Sequence, residues 1–377
     1  MTTKSTDIGI KQVTCETQQI DYRAPMKFGG RVVNDVTLMH VTVDVETRSG
    51  EAGQGSGSMP MGNVWAWPSQ ILTNDQTLAA MLEFGSRCVE QADRYNEIQH
   101  PLDSTHQLAT HHDSIADEVQ RQLGLAEPIP KLAQLVAASP LEAAIHDAYG
   151  KALGRNSYDV LGAEFVSRDL SAYLNADFAG EYLDQYTARQ PKPTMPLYHL
   201  VGALDPLSDG DLKERLEDGL PNTLSEWIQQ DELTHLKIKL NGDDLRWDVD
   251  RVIAVEHVAA EAQAKRGCET WYYSLDFNEK CSNVEYILSF LEQLREKSAI
   301  GFERVQYIEQ PTHRDLKSHP ENRMHAAAKI KPVVIDESLV DFESLLLSQE
   351  LGYSGVALKA CKGQTEALLM GAAAQKY

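Results

Sequence analysis

The sequence predicts an α/β protein in which a (β/α) barrel follows an N-terminal α+β region. After residue 193, short apolar runs alternate with amphipathic segments at intervals of about 30 residues, the pattern of parallel strands joined by helices. Six runs in succession favour a (β/α) barrel over an open sheet, with the chain reaching about the sixth strand. The runs are residues 195–201, 235–240, 271–277, 305–311, 332–338 and 355–360.

The first 60 residues show the alternation of apolar and polar side chains that is typical of antiparallel strands. Residues 8–20 and 37–53 follow this alternation and predict a hairpin or meander. We interpret residues 22–30 as a loop, because they contain a proline and paired glycines. Residues 50–67, rich in Gly, Ser and Met, are interpreted as a second, mobile loop. A phosphate-loop interpretation is disfavoured, because no helix beginning with Lys-Ser/Thr follows these glycines.

Residues 68–162 follow a helical periodicity. The clearest helix begins at Ser139, where Ser-Pro-Leu-Glu forms a capping box with proline at the first helical position. Gly154 stands where the C-terminal cap of this helix belongs. Among the barrel runs, residues 249–265 and 282–297 are further helix candidates.

The composition argues against several classes of partner and location. Of the 377 residues, 35 are Lys or Arg and 56 are Asp or Glu, so the formal net charge is −21. No basic cluster forms a face for nucleic acid or an anionic membrane. The five cysteines are odd in number and far apart, as expected for free thiols in a reducing compartment. With no signal-peptide pattern and no apolar run of membrane-spanning length, a cytoplasmic location is expected.

Charged and amide side chains stand at the carboxyl ends of five successive runs in the barrel region. Because side chains on a strand alternate with period two, residues two apart on one strand share a face. In a barrel this face points inward, and barrel enzymes place their active sites at the carboxyl ends of the strands. In chain order these residues are Lys237 and Lys239, Asp276 and Asn278, Glu309, Asp336, and Lys359.

The order base, acid, acid, acid, base predicts a metal site. Converging carboxylates repel one another unless a cation binds between them, and all-oxygen ligands favour Mg²⁺. Lysines beside such an ion have a lowered ammonium pKa, so a lysine there can act as a general base near neutral pH. A metal that binds a substrate carboxylate also stabilises the enediolate formed when the α-proton leaves. These residue types therefore predict metal-assisted proton abstraction next to a carboxylate.

The ordered set of motifs resembles the enolase superfamily, in its subgroup of muconate-lactonizing enzymes, dipeptide epimerases and o-succinylbenzoate synthases. The resemblance implies a modified TIM barrel, here residues 136–377, and an N-terminal α+β capping domain, here residues 1–135. The segment from Ser139 to Gly162 resembles the helix that links the cap to the barrel. The motifs are Lys237-Ile-Lys239, Asp276-x-Asn278, Ile308-Glu-Gln-Pro311, Ile335-Asp-Glu-Ser338 and Leu358-Lys-Ala-Cys-Lys362.

The resemblance implies roles for the residues at the strand ends. Asp276, Glu309 and Asp336 match the Mg²⁺ ligands of the superfamily. Lys239 and Lys359 match acid/base groups on opposite faces of the substrate. A proton taken by one lysine and returned by the other would invert the substrate carbon, which is the work of a racemase or epimerase.

The resemblance also implies supporting residues. Lys237 would contact the substrate carboxylate and depress the pKa of Lys239, and Asn278 would form a hydrogen bond nearby. The two predicted loops would close over the substrate, with Phe28 and Trp65 as candidate contacts. The expected partners are a small carboxylate substrate and further copies of the same chain in a homo-oligomer.

Two alternatives stay open from the sequence. The first is a lyase on the same scaffold, such as a dehydratase, a cycloisomerase or an o-succinylbenzoate synthase-like enzyme, in which only one lysine transfers the proton. The second is a barrel protein without catalytic activity. Because residues 195–377 hold only about six units of roughly 31 residues, we also expect the natural protein to be longer, with further barrel strands after Tyr377.

Overall fold

A computed structural model describes residues 3–28 and 31–377, apart from the side chains of Lys27 and Phe28. None of the α-helices in these ranges combines the length and the apolar content needed to cross a lipid bilayer. The strands are β1 (Ile8–Phe28), β2 (Arg31–Thr47), β3 (Ala52–Pro60), β4 (Tyr198–Val201), β5 (His235–Lys239), β6 (Tyr272–Asp276), β7 (Val305–Glu309), β8 (Val333–Ile335) and β9 (Gly355–Val356). The α-helices are α1 (Asn63–Ala66), α2 (Asn74–Asp93), α3 (Pro101–Ala109), α4 (His112–Leu123), α5 (Lys131–Leu153), α6 (Leu224–Gln230), α7 (Leu245–Arg266), α8 (Val284–Lys297), α9 (Ala299–Arg304), α10 (His325–Ala328), α11 (Phe342–Glu350) and α12 (Gln364–Lys376). Short 3₁₀ helices span Ser157–Val160, Leu170–Ala172, Ala176–Phe178, Leu183–Gln185, Asp209–Asp211 and Ala360–Lys362.

The chain divides into two compact units. The first comprises the residues up to Pro191 together with Val340–Phe342 and Leu358–Tyr377, and the second comprises Lys192–Leu339 and Glu343–Ala357. The sequence-based boundary between residues 135 and 136 lies inside α5, and the whole of that helix belongs to the first unit.

In the first unit, β1, β2 and β3 form an antiparallel sheet in that order, as the alternating sequence predicts. One face of β2 carries Met39, Val41, Val43 and Val45, and all four side chains are buried. Helix α5 packs on β2 and β3, while α2 packs on β1 and on α5. This alternating apolar face and the two helices form the core of the first unit.

The structure corrects the loop predicted at residues 22–30. Most of this segment continues β1, because pairing with β2 resumes between Met26 and Val33 after an irregularity that begins at Asp21. Pro25 lies within this irregularity, on an edge strand, where its missing N–H removes no hydrogen bond of the ladder. The proline therefore marks a bulge in a long strand and not the end of that strand.

The prediction of a mobile loop at residues 50–67 is also wrong, because this segment contains β3 and α1. Gly53, Gly55 and Gly57 alternate along β3 and face α5. A Cβ atom at any of the three positions would overlap a backbone carbonyl group of that helix. The glycines therefore permit a close approach of strand and helix and do not provide flexibility.

Helix α5 begins at Lys131, well before the start predicted at Ser139. Pro140 lies inside the helix and has no N–H, so the carbonyl group of Val136 lacks its usual helical donor. The Ser139 hydroxyl donates to that carbonyl at 2.8 Å. The Ser-Pro pair therefore lies inside the helix, where the Ser139 hydroxyl replaces the missing N–H donor, and not at the helix start that the sequence predicted. The predicted end is confirmed, since Gly154 caps the helix with a left-handed φ of 60°.

In the second unit, β4 to β9 form a parallel sheet in chain order, which confirms the six predicted strands. The predicted helical segments 249–265 and 282–297 lie largely in α7 and α8. Of the run at residues 355–360, only the first two residues belong to a strand. Across the described residues the sheet runs from β4 at one edge to β9 at the other, and closure into a barrel stays a prediction.

Candidate active site

Neighbouring parallel strands of the second unit bring the predicted lysine and carboxylate residues together. In the ladder register, Lys239 of β5 pairs with Asp276 of β6, and Asp276 pairs with Glu309 of β7. Glu309 in turn pairs with Val334 of β8, and Asp336 lies two residues further along, in the alternation of the same face. These residues therefore lie at the carboxyl edge of the sheet, where active sites of parallel α/β folds form.

The charged side chains at this edge are buried. The exposed fraction is 9% for Lys239, 2% for Asp276 and Glu309, and 1% for Asp336. A charge without hydration is costly unless opposite charges and hydrogen bonds surround it. Each of these groups therefore depends on close partners supplied by the neighbouring strands.

Two lysine ammonium groups supply those partners. Lys237 Nζ lies 2.5 Å from Glu309 Oε1 and 3.0 Å from Asp276 Oδ2, so it bridges two strands. Lys239 Nζ lies 2.5 Å from the same Asp276 oxygen and donates to Asn278 Oδ1 at 3.1 Å. Asp276 thus receives both ammonium groups and is the centre of the ionic cluster.

Asn278 fixes the geometry around Lys239. Its backbone N–H donates to Asp276 Oδ1 at 2.9 Å, and its Nδ2 donates to the carbonyl group of Leu240 at 3.0 Å. The φ of Asn278 is 52°, in the left-handed region that few residues other than glycine adopt. Backbone held in such a conformation concentrates at functional sites. Asn278 thus forms a hydrogen bond with Lys239, while its supporting role at a substrate site stays a prediction.

Neighbouring carboxylates determine the pKa of Lys237 in the site without a cation. Burial lowers the pKa of its ammonium group, but the carboxylates of Asp276 and Glu309 outweigh burial and raise the pKa above its ordinary value. Burial also raises the pKa of Asp276, and the ammonium groups of Lys239 and Lys237 outweigh it and lower that pKa. The predicted lowering of a lysine pKa applies beside a bound Mg²⁺ and stays a prediction, whereas the charges nearest to Lys237 without that ion are carboxylates.

Several residues without a role predicted from the sequence surround this cluster. Gln310 is fully buried, and its Oε1 accepts hydrogen bonds from the backbone N–H groups of Asp336 at 2.9 Å and Ser338 at 3.1 Å. Arg314 donates to both carboxylate oxygens of Glu279, at 2.7 Å and 2.5 Å. Gln310 directly follows the predicted ligand Glu309, so its position in the sequence could have indicated a role at the site. The Glu279–Arg314 pair joins two distant loops and has no local signal.

In the first unit, Lys359 lies beside Trp65. Its Nζ is 4.8 Å from the centroid of the indole ring, and Nζ of Lys362 is 5.9 Å from the same centroid. Cation–π contacts at such distances favour the charged form of the amine. Trp65 belongs to α1, and not to a loop as predicted. Phe28, the other predicted substrate contact, has a side chain outside the described part of the structure.

A pocket of about 360 Å³ lies within the first unit. Tyr22 and Met26 of β1 line one part of it, while Met59 of β3 and Trp65 of α1 line another. These residues come from the two segments that the sequence predicted to close over a substrate. Their side chains are mainly apolar and aromatic, as in pockets that bind small organic molecules.

The donor set in the second unit fits a divalent cation in its chemistry. Asp276, Glu309 and Asp336 are buried carboxylates at the ends of neighbouring strands, and Mg²⁺ prefers such hard oxygen ligands. In the described arrangement, ammonium groups bridge two of the carboxylates. Within residues 3–28 and 31–377, no three His, Cys, Asp or Glu side chains converge closely enough to hold a metal ion. Cation binding therefore requires the ammonium groups to move aside, since like charges repel.

Several solved structures share this architecture. The chain is similar to a mandelate racemase/muconate lactonizing protein from Herpetosiphon aurantiacus, at 19% identity and a TM-score of 0.58, over 99% of this chain and 80% of that one. It is similar to a dipeptide epimerase from Enterococcus faecalis V583 in complex with Mg and L-Leu-L-Tyr, at 18% identity and a TM-score of 0.56, over 98% and 80%. It is also similar to a muconate lactonizing enzyme from Pseudomonas fluorescens in complex with muconolactone, at 16% identity and a TM-score of 0.55, over 98% and 78%. No protein-family model matches the sequence, and neither does any curated protein.

At these levels of identity the likeness establishes the fold. The chain has the α/β fold of mandelate racemase/muconate lactonizing proteins and dipeptide epimerases, which are the proteins that the sequence motifs resemble. The resemblance found in the sequence is therefore confirmed at the level of the fold. The chemistry that such a fold performs depends on the side chains at the site.

Proposed function

We propose that the protein is an Mg²⁺-dependent enzyme that removes the α-proton of a carboxylate substrate and returns a proton to the same carbon, as a racemase or epimerase does. One observation carries the proposal: lysine ammonium groups and carboxylates from neighbouring parallel strands meet in a buried cluster around Asp276. The likeness in fold to a dipeptide epimerase and to a mandelate racemase/muconate lactonizing protein supports it.

Lys239 takes the α-proton in this proposal. Asp276 at 2.5 Å and Asn278 at 3.1 Å hold its Nζ in place, so the base has a defined position before the substrate arrives. Because cation binding would displace the amine from Asp276, the contact with Asn278 would be the one that keeps the base in place when the substrate arrives.

Asp276, Glu309 and Asp336 would hold Mg²⁺, and Lys237 would contact the substrate carboxylate. When bound, Mg²⁺ supplies positive charge that offsets the negative charge left on the substrate after proton removal. Lys237 bridges Asp276 and Glu309, so its ammonium group can pass from these carboxylates to a substrate carboxylate without losing an anionic partner.

Lys359 is the second acid/base group of the proposal. It belongs to the motif Leu358-Lys-Ala-Cys-Lys362, which follows β9 along the chain. A 1,1-proton transfer needs a proton donor on the face opposite to the base, and the motif resemblance gives Lys359 that role.

The proposal is tested by exchange of the substrate α-hydrogen with solvent. Dipeptides, N-acylamino acids and sugar acids are incubated with the protein and Mg²⁺ in D₂O, and loss of the α-hydrogen signal is followed by proton NMR. For the substrate found, Lys239→Ala and Lys359→Ala should each slow conversion by at least about 10²-fold, because each removes a positioned acid/base group.

Lys265→Ala is the matched control, since Lys265 is an exposed lysine at the end of α7 and its loss removes the same charge. This variant should retain the wild-type rate. Exchange at the wild-type rate in both the Lys239 and the Lys359 variants would contradict the proposed roles.

A second candidate is a lyase on the same scaffold, in which one lysine transfers the proton and the other stays a fixed cation. The contact of Lys359 with Trp65 at 4.8 Å favours this candidate, because a cation–π contact stabilises the charged amine. The two candidates differ in their products. Deuterium incorporation with inversion, without loss of water or a change of ring, supports the epimerase, whereas elimination or ring closure supports the lyase.

A further inference from the structure

We infer that Gln310 is a positioning residue that fixes Asp336 and ties together the loops that carry the proposed metal ligands. Its side chain has an exposed fraction of 0%. Its Oε1 accepts hydrogen bonds from the N–H groups of Asp336 at 2.9 Å and Ser338 at 3.1 Å, and its Nε2 donates to the carbonyl group of Thr312 at 3.1 Å. The inference rests on the proposed Mg²⁺ site.

The backbone of Gln310 adds two further links. Its N–H donates to the carbonyl group of Val334 at 2.9 Å, and its carbonyl group accepts from the N–H of Glu279 at 3.1 Å. Its φ is +32°, which residues other than glycine rarely adopt. Such a conformation persists only where the surrounding structure over-determines it. Gln310 is therefore tied to β8, to the loop after β6 and to the loop after β8.

These links act on the proposed ligands in particular. Gln310 directly follows Glu309, and its amide holds the backbone of Asp336. The same residue thus couples the positions of two proposed ligands from neighbouring strands. Residues that orient the ligands of a metal contribute to its affinity although they do not touch it.

A separate tie keeps the loops attached when the Gln310 amide is removed. Arg314 binds Glu279 with its guanidinium group, and its backbone N–H donates to Glu279 Oε2 at 3.0 Å. The Ser338 hydroxyl donates to the carbonyl group of Arg314 at 2.8 Å. A substitution at Gln310 should therefore disturb the placement of Asp336 more than the overall fold.

The test is an Mg²⁺ titration of the full chain by calorimetry, with Gln310→Met and a matched control. Methionine keeps the length and approximate shape of glutamine and removes both polar groups. Gln263→Met is the control, because Gln263 also has an exposed fraction of 0% and donates to a backbone carbonyl, that of Leu233, at 2.7 Å. We expect Mg²⁺ to bind about 10- to 100-fold more weakly to Gln310→Met and within about 2-fold of wild type to Gln263→Met.

Thermal unfolding of both variants shows whether the loss of stability is comparable. Gln310→Asn, which keeps the amide and shortens the side chain by one methylene group, replaces Gln310→Met if the latter does not fold, with the same expected loss of affinity. A folded Gln310 variant with wild-type Mg²⁺ affinity overturns the inference, and so does an equal loss in Gln263→Met.

Asp336→Asn separates this inference from the proposed function. If wild-type protein shows no saturable Mg²⁺ binding, or if Asp336→Asn binds Mg²⁺ like wild type, the proposed metal site is wrong. If Asp336→Asn loses Mg²⁺ binding while a folded Gln310 variant keeps it, the metal site stands and the role of Gln310 is wrong.

Discussion

Each unit of the chain buries a polar cluster. The groups of one cluster are ionised and those of the other are neutral. In the second unit, Asp276 accepts two lysine ammonium groups, so its buried carboxylate is ionised and paired. In the first unit, burial raises the pKa of Glu142 to about 8 and lowers the pKa of His146 to about 3, so both groups are neutral at pH 7. The partners explain the difference, because a buried carboxylate stays ionised only where nearby cations compensate for its lost hydration.

Burial keeps His146 neutral, and hydrogen bonds place its ring proton on Nε2. Thr105 Oγ1 donates to the carbonyl group of Pro101 at 2.8 Å, so it accepts from Thr365 Oγ1 at 2.7 Å. The Thr365 hydroxyl proton is then used, and this hydroxyl accepts from Nε2–H of His146 at 2.8 Å. The first unit thus uses its buried polar groups to join α3, α5 and α12. The second unit instead holds paired charges, in which two lysine ammonium groups contact the carboxylates of Asp276 and Glu309.

Replacing a buried carboxyl group by an amide should change the free energy of unfolding by unequal amounts in the two units. Asp276→Asn removes the carboxylate that neutralises Lys239, and we expect the free energy of unfolding to fall by about 3 kcal/mol, because a buried ammonium group loses its closest anion. Glu142→Gln replaces a protonated carboxyl group by an amide that can still accept the N–H of Thr365, and the expected change is under about 1 kcal/mol. Urea unfolding at pH 7 without added Mg²⁺ measures both values.

The surface variant Glu261→Gln on α7 controls for the loss of one negative charge, since Glu261 is exposed. Equal destabilisation by Asp276→Asn and Glu142→Gln would show that the two clusters do not differ in charge state, and the comparison would be wrong.

The free energy of unfolding should contain one contribution that is lost as pH rises and another that is lost as pH falls. Glu142, with a pKa raised from 4.5 to about 8, keeps a proton in the folded state that the unfolded chain loses; its contribution is full below pH 4.5 and is lost as pH rises to 8. Glu366, with a pKa raised to about 7, adds to this loss. His100 and His146, with pKa values lowered by burial to about 4 and about 3, contribute fully above pH 6.5, and this contribution is lost as pH falls. Between about pH 4.5 and 6.5 the two contributions change in opposite directions and offset each other, so we expect stability to change little there and to decline on either side.

Urea unfolding at a series of pH values measures this profile. Glu142→Gln carries no titrating carboxyl group, so its decline between pH 6.5 and 8 should be shallower than that of wild type by up to about 1.4 kcal/mol per pH unit. Below pH 4.5 its decline should match that of wild type, because the histidines remain. An alkaline decline identical to that of wild type would mean that Glu142 is already ionised at pH 7.

The difference between the units also limits what the sequence can predict. The six strands of the second unit were found because buried parallel strands are short continuous apolar runs. The meeting of Lys239, Asp276 and Glu309 was predicted because strand periodicity and a shared sheet edge determine it. Both signals are local or follow from the order of the strands.

The misplaced features depend on partners that are distant in sequence. Gly55 belongs to a strand because α5 packs against it, and nothing near Gly55 in the sequence indicates that helix. Ser139 has the pattern of a helix start, yet its hydroxyl bonds the carbonyl group of Val136 within a helix that is already formed. In the same way, only the three-dimensional structure shows that the ammonium group of Lys237 lies between Asp276 and Glu309.

The hydroxyl group of Thr365 lies at the centre of the neutral cluster. Thr365→Val keeps the shape of the side chain but leaves His146 Nε2–H without its acceptor and Thr105 Oγ1 without its donor, so the free energy of unfolding should fall by about 1–2 kcal/mol. Thr365→Ser keeps the hydroxyl group and should lose less than Thr365→Val, since only a methyl group is removed. Urea unfolding at pH 7 measures both. A larger loss in the serine variant would assign the role of Thr365 to apolar packing, and the neutral cluster would then not depend on its chain of hydrogen bonds.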